Sequence, residues 1–100
     1  MHEVDFVNRV REWYFAHRGT AQASGIELTF AQSRDRFPKP AAWITATRGG
    51  RESNVVIWSS GEAELIAGGP GKLELSKHYD LESAEHLDEL LDRLLALARS

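Results

Sequence analysis

The chain has no cysteine, which excludes a disulfide scaffold, a thiol nucleophile and every cysteine-based zinc site. Proline is scarce, at three residues, and two of these fall in one short segment, Phe37-Pro38-Lys39-Pro40, so little else interrupts regular structure. No apolar run approaches the ~18 residues that a membrane span requires. The first residues, Met1-His2-Glu3-Val4-Asp5, are acidic rather than basic and apolar, so no signal peptide is expected and a cytoplasmic location fits. There is also no excess of positive charge: 12 Lys+Arg against 15 Asp+Glu leave a net of −3. That balance argues against a general nucleic-acid binder, which needs a basic face.

What remains is an ordinary globular composition, 42% hydrophobic and 27% charged, over 100 residues. This length predicts one domain, residues 1–100, with room for one core. Charge is unevenly placed. Residues 1–51 hold eight Lys/Arg and five Asp/Glu, with Arg34, Arg36 and Lys39 clustered, whereas residues 52–100 hold four and ten. A field polarised in this way steers encounters with charged partners.

Val4, Val7, Val10 and Tyr14 recur at helical spacing, predicting an amphipathic helix over residues 3–18 closed by Gly19 as its C′ residue. Ile26, Leu28 and Phe30 alternate with polar residues, as in a half-buried strand. A polar loop over 32–40 leads to a second strand at 41–48 and a Gly49-Gly50 turn. A third strand at 53–59 and a fourth at 62–67 follow, separated by Ser60-Gly61. Gly68-Gly69-Pro70-Gly71 reads as a loop before a short fifth strand at 73–75. Ser83 is a candidate N-cap, and Leu87, Leu90, Leu91, Leu94, Leu95 and Ala98 form a helical stripe behind it. The predicted fold class is α+β: a two-layer sandwich with an N-terminal helix, a four- to five-stranded antiparallel meander and a C-terminal helix. Two helices cannot cover both faces of such a sheet, so both are expected on one face.

Motifs for catalysis are weak. Gly68-Gly69-Pro70-Gly71-Lys72 fails as a phosphate loop, because Ile66 stands where the first glycine belongs and Leu73 follows the lysine. Ser59-Ser60-Gly61 fails as a nucleophile elbow, because Ile57 replaces its first glycine. Among the four histidines, His78 lies two residues from Asp80, His86 lies one helical turn after Glu82, and His17 suits the end of the first helix. No framework supplies the three protein ligands that a catalytic zinc needs, so no catalytic residue, metal or cofactor is assigned. A small nuclease or hydrolase using His78, Asp80 or His86 stands as the enzymatic alternative.

The tryptophans carry more information. If Ala42, Ile44, Ala46, Val55, Ile57, Ala63 and Leu65 face the helices, alternation sends Trp43, Val56, Trp58 and Ile66 to the opposite face, among Glu62, Glu64 and Glu74. Large apolar groups rimmed by carboxylates mark a site for another protein. A register shifted by one residue would instead bury the tryptophans, as would a homodimer.

Several segments, in one order, are similar to the TriTu family of immunity proteins of bacterial polymorphic and contact-dependent toxin systems. They are Val10-Arg11-Glu12-Trp13-Tyr14, Gly25-Ile26-Glu27 and Lys39-Pro40-Ala41-Ala42-Trp43-Ile44, then the run from Val56 through Trp58-Ser59-Ser60-Gly61 to Leu65, and last the leucine-rich helix after Ser83. The resemblance implies a cytoplasmic, non-enzymatic antidote that binds one cognate toxin domain. In this family the toxin typically attacks transfer RNA with the help of elongation factor Tu, so the partner is a toxin or a toxin–elongation factor Tu complex, with no direct nucleic acid and no membrane. A small adaptor or secretion chaperone using the same sheet face is the other protein-binding alternative.

Overall fold

The computed structural model describes residues 5–33 and 40–99. Its elements run α1 (Phe6–Ala23), β1 (Glu27–Gln32), β2 (Ala41–Arg48), β3 (Arg51–Trp58), β4 (Glu62–Gly69), β5 (Lys72–Asp80) and α2 (Ala84–Arg99). The fold is α+β, and the five strands form one antiparallel meander in sequence order, with β1 and β5 at its edges. Both helices pack against the same sheet face and against each other. The expected basic cluster Arg34, Arg36 and Lys39 lies outside the described residues.

Alternation fixes which strand face the helices cover. Ala42, Ile44, Ala46, Val55, Ile57, Ala63 and Leu65 are fully buried beneath them. From above, Val10 and Trp13 of α1 and Leu87, Leu91 and Leu94 of α2 close the core. Alanines at 42, 46 and 63 let the helices sit close to the sheet, and the branched residues between them fill the remaining volume. Ser53 is buried on this face, and its hydroxyl donates to the Leu94 carbonyl at 2.8 Å, tying β3 to α2. Tyr14 stacks on Phe30, with ring centroids 5.6 Å apart, and joins α1 to β1.

The first helix is displaced from its expected bounds. Asp5 caps it, accepting from the Asn8 N–H at 3.0 Å. It does not stop at Gly19; it runs on through Ala21 to Ala23, because the residues after Gly19 are good helix formers and Ala21 is buried. The true C′ residue is Gly25, at φ +81°. Its N–H donates to Gln22 O, and the Ile26 N–H donates to Ala21 O, the two bonds of a Schellman motif. His17 is therefore not a terminal cap. It sits inside the helix, stacked on Trp13, with Nδ1 2.9 Å from the Trp13 carbonyl oxygen.

The third strand begins at Arg51, two residues earlier than expected, because Gly49-Gly50 alone make the tight turn and Arg48 pairs directly with Arg51. The larger revision concerns the last hairpin. Gly68 and Gly69 belong to β4, only Pro70-Gly71 turn the chain, and β5 runs to Asp80 rather than ending at Leu75. The register shifts between Ala67 and Gly68, where a bulge brings β5 so close that a Cβ on Gly68 would strike the Lys72 carbonyl. Gly68 serves that close approach rather than a loop. Ser83 caps α2 as expected: its Oγ accepts from the His86 N–H at 3.1 Å, and the Leu87 N–H donates to its carbonyl.

Candidate functional site

The sheet face opposite the helices carries no helix among the described residues. Across it, Trp43 pairs with Val56, Val56 with Glu64 and Glu64 with His78, forming one row. A second row runs Thr45, Asn54, Ile66 and Ser76. Asn54 Nδ2 donates to Thr45 Oγ1 at 2.7 Å, which fixes the polar part of that row. Trp58 pairs with Ala41 at the end of β3, and its carbonyl accepts from the Gly61 N–H at 2.9 Å, so the tight turn holds its backbone.

Trp43, Val56 and Trp58 are half-buried, and Ile66 is 40% exposed. A shallow groove of about 400 Å³ continues the apolar surface from Ile66 to Leu73, which is 65% exposed. By register Ile66 lies diagonal to Val56, which pairs with Trp43 and stands two residues before Trp58 on β3, so these apolar side chains share one area of the face.

Carboxylates border the patch. Glu62 and Asp80 are direct cross-strand partners, and Glu64 stands two residues further along β4. Both carboxylates belong to the face away from the helices, which makes this end of β4 and β5 acidic. His78 lies between acids: its Nε2 is 3.1 Å from Asp80 Oδ1 and its Nδ1 is 4.0 Å from Glu64 Oε1.

The structure thus brings together Trp43, Val56, Trp58, Ile66, Glu62 and Glu64 as alternation predicted. Glu74 departs from the group. Arg51 Nη2 donates to Glu74 Oε1 at 3.0 Å, and Arg51 alternates with Ser53, Val55 and Ile57 on the helix-covered side. The bulge at β5 takes Glu74 out of the simple alternation and hands it to that arginine, whose hydrogen bond and charge hold its carboxyl below the usual carboxylate range. Asp80, His78 and Leu73 belong to the open face and were not assigned to it from the sequence. The available signal was the two-residue spacing of Leu75, Lys77 and Tyr79 against Ser76, His78 and Asp80.

Among the described residues the histidines do not converge. His78 is on the open face, His17 is in α1, and His86 Nδ1 faces the Glu82 N–H at 3.4 Å at the start of α2. Among the described residues, no three His, Asp or Glu side chains are grouped to hold a metal ion, and no helix is long and apolar enough to cross a membrane.

A two-layer α+β sandwich with one sheet face uncovered among the described residues, and aromatic, aliphatic and acidic side chains on it, has the build of a small macromolecule-binding protein. The chain belongs to the TriTu family of immunity proteins, whose model, described as Immunity protein TriTu, matches residues 8–97. Members of such a family neutralise a cognate toxin. Neither the curated proteins nor the solved structures gave a significant match.

Proposed function

We propose that the open sheet face is the surface by which this immunity protein seizes its toxin, with Trp43, Val56, Trp58 and Ile66 as the apolar anchor and Glu62, Glu64 and Asp80 as the acidic rim. The observation that carries this reading is the grouping of these apolar side chains on the face that no described helix covers, bordered by carboxylates. Its chemistry suits a ribonuclease. Such an enzyme presents a basic groove to phosphates, and a strip of carboxylates can fill that groove or cover the surface beside it.

The two components have separate physical roles. Carboxylates raise the rate of encounter with a cationic surface, and buried aromatic side chains slow dissociation once water is expelled. No bond is made or broken in this mechanism: neutralisation is occupancy. We extend the reading to a transfer-RNA-directed toxin, alone or with elongation factor Tu, met in the cytoplasm. Co-expression with the toxin-encoding reading frame next to its gene tests it. Growth should be rescued by the wild-type chain and lost with Trp43→Ala plus Trp58→Ala, provided the variant melts cooperatively. Rescue undiminished by that double substitution would place the contact elsewhere.

A further inference from the structure

A second surface lies at the other end of the molecule. β1 is an edge strand, and the main-chain groups along its outer side have no strand partner among the described residues. Between it and the C-terminal half of α1 runs a groove of about 620 Å³, walled by Tyr14, Arg18, Gly19 and Gln22 on the helix and by Gly25 and Leu28 on the strand side. A groove between a helix and an exposed strand edge is the geometry that accepts an extended peptide as an added strand: main-chain hydrogen bonds hold it, and alternate side chains enter the groove.

Gly19 is the informative residue. It sits in the body of α1 without a positive φ, and a Cβ there would meet nothing within 4 Å. The fold therefore has no need of glycine at this position, and a helix-interior glycine is weaker than alanine. A missing side chain on the wall of a groove is what a second backbone needs in order to approach closely.

Charge indicates what kind of segment fits. The Arg18 guanidinium lies 5.9 Å from the Tyr14 ring centroid and 5.2 Å from that of Phe15, and the Arg11 guanidinium lies 5.7 Å from Phe15, whose side chain is 53% exposed. At the far end, Arg48 lies beside Gly25. Glu27 also lines the groove, at a strand position that alternates with buried Leu28. Arg18 is thus the cation on the helix wall of the groove, and Arg48 of β2, whose Nη1 donates to the Arg99 carbonyl at 3.0 Å, stands at its Gly25 end.

From these observations we propose that the α1–β1 groove binds an extended, acidic segment of a partner protein by strand addition to β1. The surface is distinct from the toxin-binding face: α1 and the groove lie on the helix-covered side of the sheet, and the acidic rim is on β4 and β5 at the opposite edge.

The test is selection of a phage-displayed random ten-residue library on the full chain, followed by affinity measurement and amide-exchange mapping with the enriched peptides. Enriched sequences should carry acidic residues at alternate positions and should slow exchange along residues 27–32. Gly19→Leu should weaken them at least about tenfold while leaving the melting temperature equal or higher. Arg18→Glu should weaken them similarly and shift preference toward peptides in which lysine replaces the acids. Three results would each overturn the proposal: no acidic enrichment, protection mapping to β5 or the open face, or affinity within about twofold of wild type in Gly19→Leu.

Discussion

Trp43 and Val56 are direct cross-strand partners in the middle of the sheet, and both point away from the helices. Each is only half-buried, because no described element packs over them. Their pairing makes the open face apolar at its centre and acidic toward β4 and β5.

Trp58 extends this apolar centre at the end of β3 while contributing little to the helix-covered core. Trp58→Ala should weaken toxin binding by at least ~2 kcal/mol, about thirty-fold, and leave a cooperative unfolding transition. Titration calorimetry with the toxin domain checks the first part and thermal melting the second. Unchanged affinity would remove Trp58 from the site.

The acidic rim predicts a kinetic signature. Glu62→Lys combined with Glu64→Lys should lower the association rate, most strongly at low ionic strength, with a smaller effect on dissociation. Stopped-flow mixing over a salt series measures this. A rate indifferent to both charge reversal and salt would contradict steering from β4.

Stability rests on the opposite face. Leu91 and Leu94 are fully buried in the core beneath α2, so each Leu→Ala change should cost about 2–5 kcal/mol in denaturant unfolding. By contrast, the Arg9–Asp88 ion pair, 2.8 Å long with both side chains about two-fifths exposed, should contribute little in a double-mutant cycle, because solvent screens it.

The end of α1 gives a backbone prediction. Gly25 holds φ +81° so that its own N–H and that of Ile26 can close the helix. Gly25→Ala should destabilise by about 1–2 kcal/mol, whereas Gly19→Ala should stabilise slightly, because the first requires a left-handed residue and the second does not.

Acid unfolding should report on Glu74. Its pKa in the folded chain is lowered by Arg51, so the pairing contributes above the unfolded-state value and is lost as pH falls through the lowered folded value. Glu74→Gln should therefore narrow the stability difference between neutral and acidic solution, and high salt should shrink the effect because the pair is partly exposed. An unchanged pH profile of the urea midpoint would contradict this.

The layered fold was legible because alternation in β2, β3 and β4 and the leucine stripe of α2 are strong, consistent patterns. The same alternation sorted Trp43, Val56 and Trp58 to the face away from the helices. Glycine misled in two places. Gly19 looks like a helix stop but holds an ordinary helical conformation, and Gly68-Gly69 look like a loop but continue β4, with Gly68 admitting a close strand approach. The second error hid most of β5, and with it Asp80 and His78, and it left Glu74 on the wrong side because a one-residue bulge cannot be seen in a two-residue period.

The three tryptophan indoles offer the most direct test of how this immunity protein engages its toxin. Trp43 and Trp58 lie on the open face, and Trp13 is buried on the helix side against His17. In a proton–nitrogen spectrum titrated with the toxin domain, the Trp43 and Trp58 indole N–H signals should shift or broaden while that of Trp13 stays in place. A Trp13 signal that moves while the other two do not would contradict a toxin site on the open sheet face.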